Sequence, residues 1–574
     1  HRDEFDDLQL QLRDTAGTTI MIYDQTCATE KRRRRKRGLA VDPPRRVFIN
    51  PDVCEGCGDC SVKSNCLSVE PLETPLGTKR IINQNSCNKD FSCLKGFCPS
   101  FVTLEGAELR KPAAGPIGQL PLPVGIPEPV IPELRKPVGI VVTGVGGTGV
   151  VTIGALLGMA AHLENKGVTV LDQTGLAQKG GAVMSHVQIA AQPGAIHATR
   201  IAIGEADVLI GCDEIVSASA DALSRVRNGH TAAVINSAHT PTAEFVSNPD
   251  WQYPTASVER DLLSALGNQC NFLSASALAV RLMGDSIFTN SLVLGYAWQK
   301  GWLPLSRAAL IRAIGLNNVA VENNTRAFEW GRVAAHDANM IPVPEHKAEV
   351  VKLHFPETLK DIIAARSQLL TEYQDAAYAS RYREALSKFE ARESAVLGSS
   401  SLSVIAAKNL AKLMAYKDEY EVARLHTSTK FMDLLREQFE GEPGVDYKIN
   451  YHLAPPMIAK KDSQGHLQKS QYGQWMLGAF KLMRRFKSLR GGWMDVFSKT
   501  AERRQEQQLI TDYMQLLDDL AQCLDKRNVD NTRALLELPQ SIRGYGHVKE
   551  ANMEKAARER ANLLREQIAL DATQ

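Results

Sequence analysis

Seven of the chain's eleven cysteines lie in one short segment, between Cys54 and Cys98. Three of them have the spacing Cys54-x2-Cys57-x2-Cys60, and a fourth stands in the dipeptide Cys98-Pro99. A tight loop with a thiolate at every third position can hold three corners of an iron–sulfur cube, and a distant Cys-Pro supplies the fourth. Zinc sites use paired Cys-x2-Cys knuckles, and three cysteines this close cannot all form good disulfides. The pattern predicts iron–sulfur electron transfer, with zinc or structural thiols as alternatives.

The later cysteines of this segment predict a second cluster with an unusual ligand. Their run reads Cys87-x2-Asp90-x2-Cys93, so an aspartate occupies the position of a cysteine. Asp90 is then an oxygen ligand, an open corner or, alternatively, an ordinary surface turn residue. In two-cluster ferredoxins the last cysteine of each run ligates the other cluster. By this rule the predicted ligands are Cys54, Cys57, Cys60 and Cys98 for the first cluster and Cys66, Cys87, Asp90 and Cys93 for the second.

The bulk properties of the chain exclude several classes of function. Its 574 residues predict several domains, and a net charge of +2 argues against nucleic acid as the main partner. No apolar stretch is long enough for a membrane span, and no secretory signal is evident. Clustered cysteines indicate a reducing compartment, so we expect a cytoplasmic protein. The chain opens in mid-pattern, and a strand-like stretch at Ile20–Tyr23 suggests a piece of a longer polypeptide.

The elements that position the cysteines are short. The pattern predicts a helix at 3–13, a strand at 18–23, and small strands near Val47–Ile49 and Arg80–Ile82. The basic run at 31–37 is a solvated connector or a patch for an acidic electron carrier. Prolines crowd residues 112–137, which predicts an extended linker.

From residue 138 onward the chain alternates strands and helices. Buried strands are predicted at 138–144, 168–172, 187–190, 208–211 and 232–236, which favours a mostly parallel sheet covered by helices. Beyond about 345 the pattern is helical and charged. Helices are predicted at 357–397, 401–415, 417–440, 472–488, 498–526 and 550–570.

A glycine-rich turn follows the first of these strands. Gly144-x-Gly146-x-x-Gly149 opens a helix, and Asp172 ends the next predicted strand, where a dinucleotide ribose would be bound. Nucleotide binding, another phosphate-bearing ligand and simple strand–helix packing are all compatible with this turn. A second loop, 172–186, exposes polar side chains, including Ser185 and His186. The candidate cofactor-binding residues are Gly144, Gly146, Gly147, Gly149, Gln178 and Lys179.

Together these segments resemble the 2-oxoacid:ferredoxin oxidoreductase family, in particular the C-terminal part of fused indolepyruvate:ferredoxin oxidoreductases. The resemblance runs nearly end to end. It rests on the cysteine run and on Tyr23 to Gly38, Phe97 to Phe101, Gly144-Val-Gly-Gly-Thr-Gly149, Asp172 to His186, Gly211-Cys-Asp213, Gly295 to Gly301, Tyr451-His-Leu-Ala-Pro-Pro456 and Ile542-Arg-Gly-Tyr-Gly546.

The resemblance implies oxidative decarboxylation of aryl pyruvates to aryl-acetyl-CoA, with coenzyme A as co-substrate and electrons passed to ferredoxin. It implies thiamine diphosphate and Mg²⁺ held mainly by an N-terminal half or partner subunit, two [4Fe-4S] clusters and a homo-oligomer. Asp90 departs from the family pattern, so [3Fe-4S] and aspartate-ligated forms are alternatives for the second cluster. The implied divisions are a thiamine-domain tail and linker (1–45), a ferredoxin-like domain (46–111), a linker (112–137), a Rossmann-like gamma domain (138–345) and a helical domain (346–574). The rivals are an NAD(P)-linked iron–sulfur oxidoreductase and a non-catalytic electron-transfer subunit.

Overall fold

The computed structural model of the chain describes residues 4–571, except 111–119, 147–148, 175–180, 240–244, 247, 343–357, 456–458, 462–464, 493–494, 496 and 498–499. The described residues form a small region that carries the cysteine run, a larger α/β region and a mainly helical C-terminal region. This confirms the predicted mixture of α/β structure with a helical C-terminal part. Within the described residues, no helix combines the length and apolar character needed to cross a bilayer.

Two helices precede the cysteine run, α1 (Phe5–Asp14) and α2 (Ala28–Lys36). The first lies close to the predicted helix, and the second contains most of the basic run. The predicted strand at 18–23 is wrong, because this stretch is irregular and Ile20 and Ile22 are 80% and 87% exposed. No strand among the described residues lies beside it, and without one a strand has no partner for its backbone hydrogen bonds.

The cysteine region is built on short antiparallel strands. Its main sheet pairs Val47 with Thr103, and its hairpin pairs Val69 with Ile82. Apolar residues of these strands, including Phe101, are buried together with the cysteines. The cysteine run is thus part of a core rather than a surface loop. Its elements are β1 (Arg45–Ile49), α3 (Asp59–Ser64), β2 (Val69–Leu72), β3 (Lys79–Ile82) and β4 (Phe101–Glu105).

The α/β region contains a six-stranded sheet. Its strands are β5 (Val138–Val145), β6 (Gly167–Thr174), β7 (Ala182–Ala190), β8 (Val208–Gly211), β9 (Ala232–Asn236) and β10 (Cys270–Leu273). The spatial order is β10-β9-β8-β5-β7-β6. The four strands β10, β9, β8 and β5 are parallel, and their near-continuous apolar sequences fit burial on both faces.

One strand departs from the predicted parallel sheet. β7 is antiparallel to both β5 and β6, so it lies reversed between them. The physical reason is the short connection from β6 to β7, which has seven residues (175–181). A parallel pairing needs a crossover of a dozen or more residues, so a connection of this length returns the chain antiparallel.

Helices cover both faces of this sheet. The buried rings of Trp298 and Trp330 are the largest side chains of its main core. Leu120, Leu122 and Ile126, from the proline-rich stretch, pack on the same core. The helices are α4 (Val150–Leu163), α5 (Glu214–Ser217), α6 (Ala220–Arg225), α7 (Thr255–Leu266), α8 (Ala275–Met283), α9 (Thr289–Gln299), α10 (Arg307–Asn317) and α11 (Val321–His336).

The C-terminal region contains nine described helices. Six of them contribute to an apolar core of their own, and the other three pack with strands of the cysteine region in a second core. The long helix predicted at 357–397 is divided, because Asp375 caps a new helix by accepting a hydrogen bond from the Tyr378 amide at 2.8 Å. The helices are α12 (Leu359–Tyr373), α13 (Ala376–Leu397), α14 (Ser401–Met414), α15 (Glu419–His426), α16 (Thr429–Gln438), α17 (Trp475–Met483), α18 (Ala501–Cys523), α19 (Val529–Glu537) and α20 (Gly546–Asp571).

Two strands of the C-terminal region extend the sheet of the cysteine region. β11 (Lys448–Leu453) pairs with β4, and β12 (Ser470–Tyr472) pairs with β11. The sheet order is therefore β1-β4-β11-β12. The domain boundaries drawn from the sequence stay a prediction, but this shared sheet joins two of the proposed divisions through backbone hydrogen bonds.

Candidate metal centre

The loop from Cys54 to Cys60 is wound tightly by backbone hydrogen bonds. The amide of Cys54 donates to the carbonyl of Asn50, and the amide of Gly56 donates to the sulfur of Cys54 at 3.3 Å. Gly56 has a φ of +69°, and a Cβ atom there would collide with the carbonyl of Thr78. A left-handed residue without a side chain lets the loop turn back on itself and bring successive cysteines to one side.

Four cysteines surround one cavity. Cys54, Cys57, Cys60 and Cys98 all line it, together with Arg80 and Phe97. This is the set that the crossing rule assigned to the first cluster. The sulfur of Cys98 lies 2.9 Å from the hydroxyl of Ser100. The fold therefore brings the distant Cys-Pro to the Cys-x2-Cys loop, and cluster binding itself stays a prediction.

The electrostatics of this cavity suit a cationic group. Burial raises the pKa of the Cys57 thiol, and the neighbouring Cys98 raises it further. The pKa of the Cys60 thiol is also raised, mainly by burial and next by the neighbouring Cys98. Thiols in such a place keep their protons unless a metal stabilises the thiolates. The four side chains thus fit an iron–sulfur group, which supplies the missing positive charge.

The loop that carries Cys98 packs closely against the segment that carries Cys60. The carboxylate of Asp59 accepts a hydrogen bond from the amide of Phe97 at 2.6 Å. Gly96 lies so near Cys60 that an added Cβ would sit 2.7 Å from the Cα of that cysteine. A glycine at 96 is therefore required for the loop that carries Cys98 to approach α3.

The second predicted set also converges. Cys66 and Cys93 are buried in the same apolar cluster, with Cys87 at its edge. Burial raises the pKa of Cys93, and Cys66 and then Cys87 raise it further, which shows that the three thiols are neighbours. The amide of Lys89 donates to the sulfur of Cys87 at 3.4 Å.

Asp90 lies at the border of this second set. Its residue is exposed, and its carboxylate accepts hydrogen bonds from the amide and hydroxyl of Ser92, at 3.4 and 3.1 Å. It is close enough to Cys87 and Cys93 to raise the pKa of both. These contacts are those of a turn residue, and ligation by Asp90 stays a prediction.

A single-ion site is a different geometry. Across the described ranges, no three His, Cys, Asp or Glu side chains converge closely enough to hold one metal ion. A cluster of several irons and sulfides places its thiolate ligands around a larger body than one ion. A cavity ringed by four sulfurs is consistent with that larger body.

A charged network lies behind the first cysteine set. Glu55 forms an ion pair with Lys417 at 2.5 Å, and Lys417 also donates to the Cys54 carbonyl at 3.1 Å. Burial alone would raise the pKa of Glu55, but Lys417 and then Lys79 lower it below its usual range. Burial, followed by Lys417, lowers the pKa of Lys79 to about 8. Lys417 belongs to the C-terminal region, and nothing in the local cysteine pattern indicates it.

The glycine turn lies at the end of β5, some distance along the chain from the cysteines. Gly149 has a φ of +89° at the start of α4, and the amide of Gly146 donates to the Gly181 carbonyl at 2.7 Å. Gly144 lies within β5, one residue before that strand ends. Three further candidates, Gly147, Gln178 and Lys179, lie outside the described residues, so their placement is not described.

The structure revealed a residue that supports this turn. Asp213 is fully buried, and its carboxylate accepts hydrogen bonds from the Val145 amide at 2.6 Å and the Val216 amide at 2.9 Å. It therefore ties the end of β5 to the start of α5. Sequence reasoning noted Asp213 within a matching segment but assigned it no role.

The position of Asp172 does not suit ribose binding. Asp172 is exposed on β6, two residues before that strand ends. β7 lies between β6 and β5, so the acid and the glycine turn are separated by two strand spacings, about 10 Å. In a dinucleotide fold the two strands are adjacent. This arrangement disfavours the NAD(P) interpretation.

Two other loop candidates are corrected. Ser185 and His186 were predicted in an exposed loop, but both are fully buried within β7. The amide of Ile201 donates to Nδ1 of His186 at 3.3 Å, and burial lowers the pKa of that imidazole. The loop ends at Gly181, because the alternating apolar residues after it continue as a strand.

Known protein sequences resemble parts of this chain. A sequence model described as pyruvate ferredoxin/flavodoxin oxidoreductase matches residues 139–334. The indolepyruvate oxidoreductase subunit IorB of Archaeoglobus fulgidus is 34% identical over 194 residues, which are 33% of this chain and 92% of that protein. The corresponding subunit of Methanothermobacter thermautotrophicus is 26% identical over 201 residues, 35% of this chain and 98% of that protein.

This chain belongs to the 2-oxoacid:ferredoxin oxidoreductase family. The family resemblance seen in the sequence is thereby confirmed. In this family member, a second sequence model matches residues 359–562, and its description is a family of unknown function. Among solved structures, the pyruvate oxidoreductase subunit PORC of Thermotoga maritima aligns with a TM-score of 0.26 and 18% identity, covering 34% of this chain and 96% of that one.

Proposed function

We propose that the chain is the electron-transfer part of an indolepyruvate:ferredoxin oxidoreductase. The observation that carries this proposal is the cavity ringed by Cys54, Cys57, Cys60 and Cys98, in a chain of this family. The overall reaction converts an aryl pyruvate and coenzyme A into aryl-acetyl-CoA and carbon dioxide, and two electrons pass to ferredoxin. Iron–sulfur clusters carry one electron at a time at low potential, which suits this division of the electron pair.

The residues of this chain would hold and shield the two clusters. The eight predicted ligands keep the roles given above, with Asp90 as an oxygen ligand or open corner of the second cluster. The Gly56 amide and the Ser100 hydroxyl contact sulfurs of the first set, and such hydrogen bonds stabilise thiolates. Burial of Cys54 and Cys60, at 6% and 7% exposure, excludes water from the ligand atoms.

The α/β region would face the decarboxylation site. We propose that the glycine turn, with Gly144, Gly146, Gly147 and Gly149, and the loop with Gln178 and Lys179 contact a phosphate-bearing group there. Glycine amides at a strand–helix turn are suited to bind phosphate oxygens. Thiamine diphosphate with Mg²⁺ would be bound mainly by a partner subunit or N-terminal half, with coenzyme A as co-substrate, ferredoxin as acceptor and a cytoplasmic homo-oligomer as the working assembly.

Iron quantitation with low-temperature electron paramagnetic resonance tests this proposal on anaerobically purified protein. We expect about eight irons per chain and two interacting reduced cubes after dithionite treatment. An oxidised three-iron signal beside one cube would show that the Asp90 corner is open. Protein without iron, or with zinc in its place, would refute the electron-transfer role.

Activity separates the enzyme from its rivals. With the thiamine-carrying partner added, we expect ferredoxin reduction that requires both indolepyruvate and coenzyme A. Cluster reduction by NAD(P)H alone would support the nicotinamide-linked rival. Full activity in a variant with Lys179→Ala would show that the predicted loop contact is absent, and would favour a purely electron-transferring subunit.

A further inference from the structure

The strands that the C-terminal region adds to the cysteine region bring a lysine to the metal centre. β4 begins at Phe101, three residues after Cys98, and β11 pairs with it along Ile449↔Leu104 and Tyr451↔Val102. β12 then pairs with β11, with Ser470 opposite Leu453. Lys469 immediately precedes β12. Two ladder steps therefore place a residue 371 positions away in sequence beside the loop that carries Cys98.

The contacts of Lys469 are specific to that loop. Its ammonium donates a hydrogen bond to the Gly96 carbonyl and lies 5.1 Å from the centre of the Phe101 ring. Burial lowers the pKa of Lys469. The nearby Asp59 carboxylate raises it weakly, and three thiols raise it more, in decreasing order Cys98, Cys93 and Cys60. They belong to both predicted cysteine sets. Lys469 is thus a half-buried cation at the junction of the two candidate clusters.

The charge of Lys469 is only weakly compensated, by the Asp59 carboxylate. Within the part of the chain that is described, no carboxylate lies at ion-pair distance from its ammonium. Lys417 differs, because Glu55 neutralises it at 2.5 Å. A single charge in a partly buried place acts more strongly than one in water. Of these two lysines from the C-terminal region, Lys469 is the one without an ion-pair partner among the described residues, so its protonated form is the less compensated charge beside the cysteines.

We infer that the C-terminal region, through Lys469, raises the reduction potential of the first iron–sulfur cluster. This inference rests on the proposed function and adds a role for residues 359–562, whose family description assigns none. Reduction adds one negative charge to a cluster, and a nearby cation stabilises the reduced form more than the oxidised form. Lys469 is a positioning residue in this role, since it touches the ligand loop and not the substrate.

The loop 542–546 covers the same site from another side. The hydroxyl of Tyr545 donates to the Val53 carbonyl at 2.7 Å, and an added Cβ at Gly544 would come within 3.5 Å of Cys57. His547 packs against Phe97 with the two rings tilted and their centres 4.8 Å apart. The C-terminal region therefore shields the first cysteine set from solvent and also contributes Lys469. Low exposure to water strengthens the electrostatic interaction between Lys469 and the cysteines.

A redox titration followed by electron paramagnetic resonance tests the inference on the full chain. Lys469→Met removes the charge, Lys469→Gln removes it but keeps a donor for the Gly96 carbonyl, and Lys469→Arg keeps it. Lys448→Met is the matched control, since Lys448 is exposed on β11 at the opposite end of the strand from Leu453. We expect the Met and Gln variants to lower the midpoint potential and the other two to leave it unchanged.

The expected size is a tenfold change in the ratio of reduced to oxidised cluster at a fixed potential, which is about 59 mV for one electron. Unchanged potentials in iron-loaded Lys469→Gln and Lys469→Met would overturn the inference while leaving the proposed function standing. Loss of iron from both Lys469→Gln and Lys469→Met, with iron retained in Lys469→Arg, would also overturn the inference. The positive charge would then be needed for binding the cluster and not for setting its potential. Wild-type protein without iron would instead defeat the proposed function.

Discussion

The cysteine region and the α/β region carry the two most conspicuous patterns of this chain, and they differ in how much those patterns determine. The cysteines predicted for the first site do surround one cavity, since most of their spacing is local to one tight loop. The glycine turn also forms at a strand–helix junction, but a reversed strand separates it from Asp172. A motif is informative when its geometry is local, and ambiguous when its partner must come from another strand.

The largest expected effect is at the cysteine cavity. Cys98→Ala should abolish the first cluster, because it removes the distant ligand that closes the set, and iron should fall by about half. Iron assay and electron paramagnetic resonance measure this. Cys270→Ala, on β10 in the α/β region, is the control and should keep its iron. Equal iron in both variants would mean that the cavity is not the binding site.

The next effect concerns the contact between the C-terminal region and the cysteine loop. Nε2 of fully buried His426 lies 2.9 Å from the Pro99 carbonyl, so it must donate, and Nδ1 accepts from the side-chain amide (Nδ2) of Asn50 at 3.4 Å. Burial lowers the pKa of His426 to about 4 from 6.5. The unfolded chain therefore binds the proton first, and stability should fall as the pH drops from about 6.5 to about 4.

This loss should be on the order of 3 kcal/mol, from the difference between the two pKa values. Denaturant unfolding at a series of pH values measures it. His426→Phe should be less stable at neutral pH but should lose this part of the acid dependence, whereas His197→Phe, at an exposed position, should keep it. Identical pH profiles for His426→Phe and wild type would contradict this interpretation.

A smaller effect is expected at the support of the glycine turn. Asp213→Ala leaves two buried amides without an acceptor, so we expect a loss of about 2 kcal/mol in unfolding free energy. Asp375→Ala removes an exposed helix cap with a single bond and should cost about 1 kcal/mol. Thermal unfolding of both variants gives the comparison. Equal losses would show that Asp213 acts only as a helix cap.

The smallest effect is expected at Asp90. Its carboxylate contacts Ser92 at an exposed turn, so Asp90→Ala should cost less than about 1 kcal/mol of unfolding free energy. If the second cluster has an open corner at Asp90, this variant should also leave the iron content unchanged. The iron signals of this variant and of Asp90→Cys measure the outcome. A lost or altered second-cluster signal in Asp90→Ala would establish ligation. It would also show that the second set is as fully specified by the sequence as the first.

Much of the fold could be predicted from pattern alone. Alternating strands and helices after residue 138 are present, and most C-terminal helices lie close to their predicted ranges. The helix predicted at 417–440 is instead divided where Ser428 caps a second helix, and the helix Val529–Glu537 was not predicted. The failures share one cause. The strand at Ile20–Tyr23, the exposed loop at Ser185 and the single long helix at 357–397 each depended on neighbours that a local pattern does not show. Strand pairing and helix caps decided those cases.

The sequence by itself determined the candidate ligands of the first metal centre, because Cys-x2-Cys-x2-Cys imposes its geometry within a few bonds. It also determined the family of the chain, because the matching segments can be read directly from the sequence. Only the tertiary structure decided what surrounds those ligands. Lys469, Lys417 and His426 contact backbone carbonyls of the loops that carry the cysteines, from more than 300 residues away in sequence. Charge and burial act through space, so residues that set them need no relation in sequence to the ligands they influence.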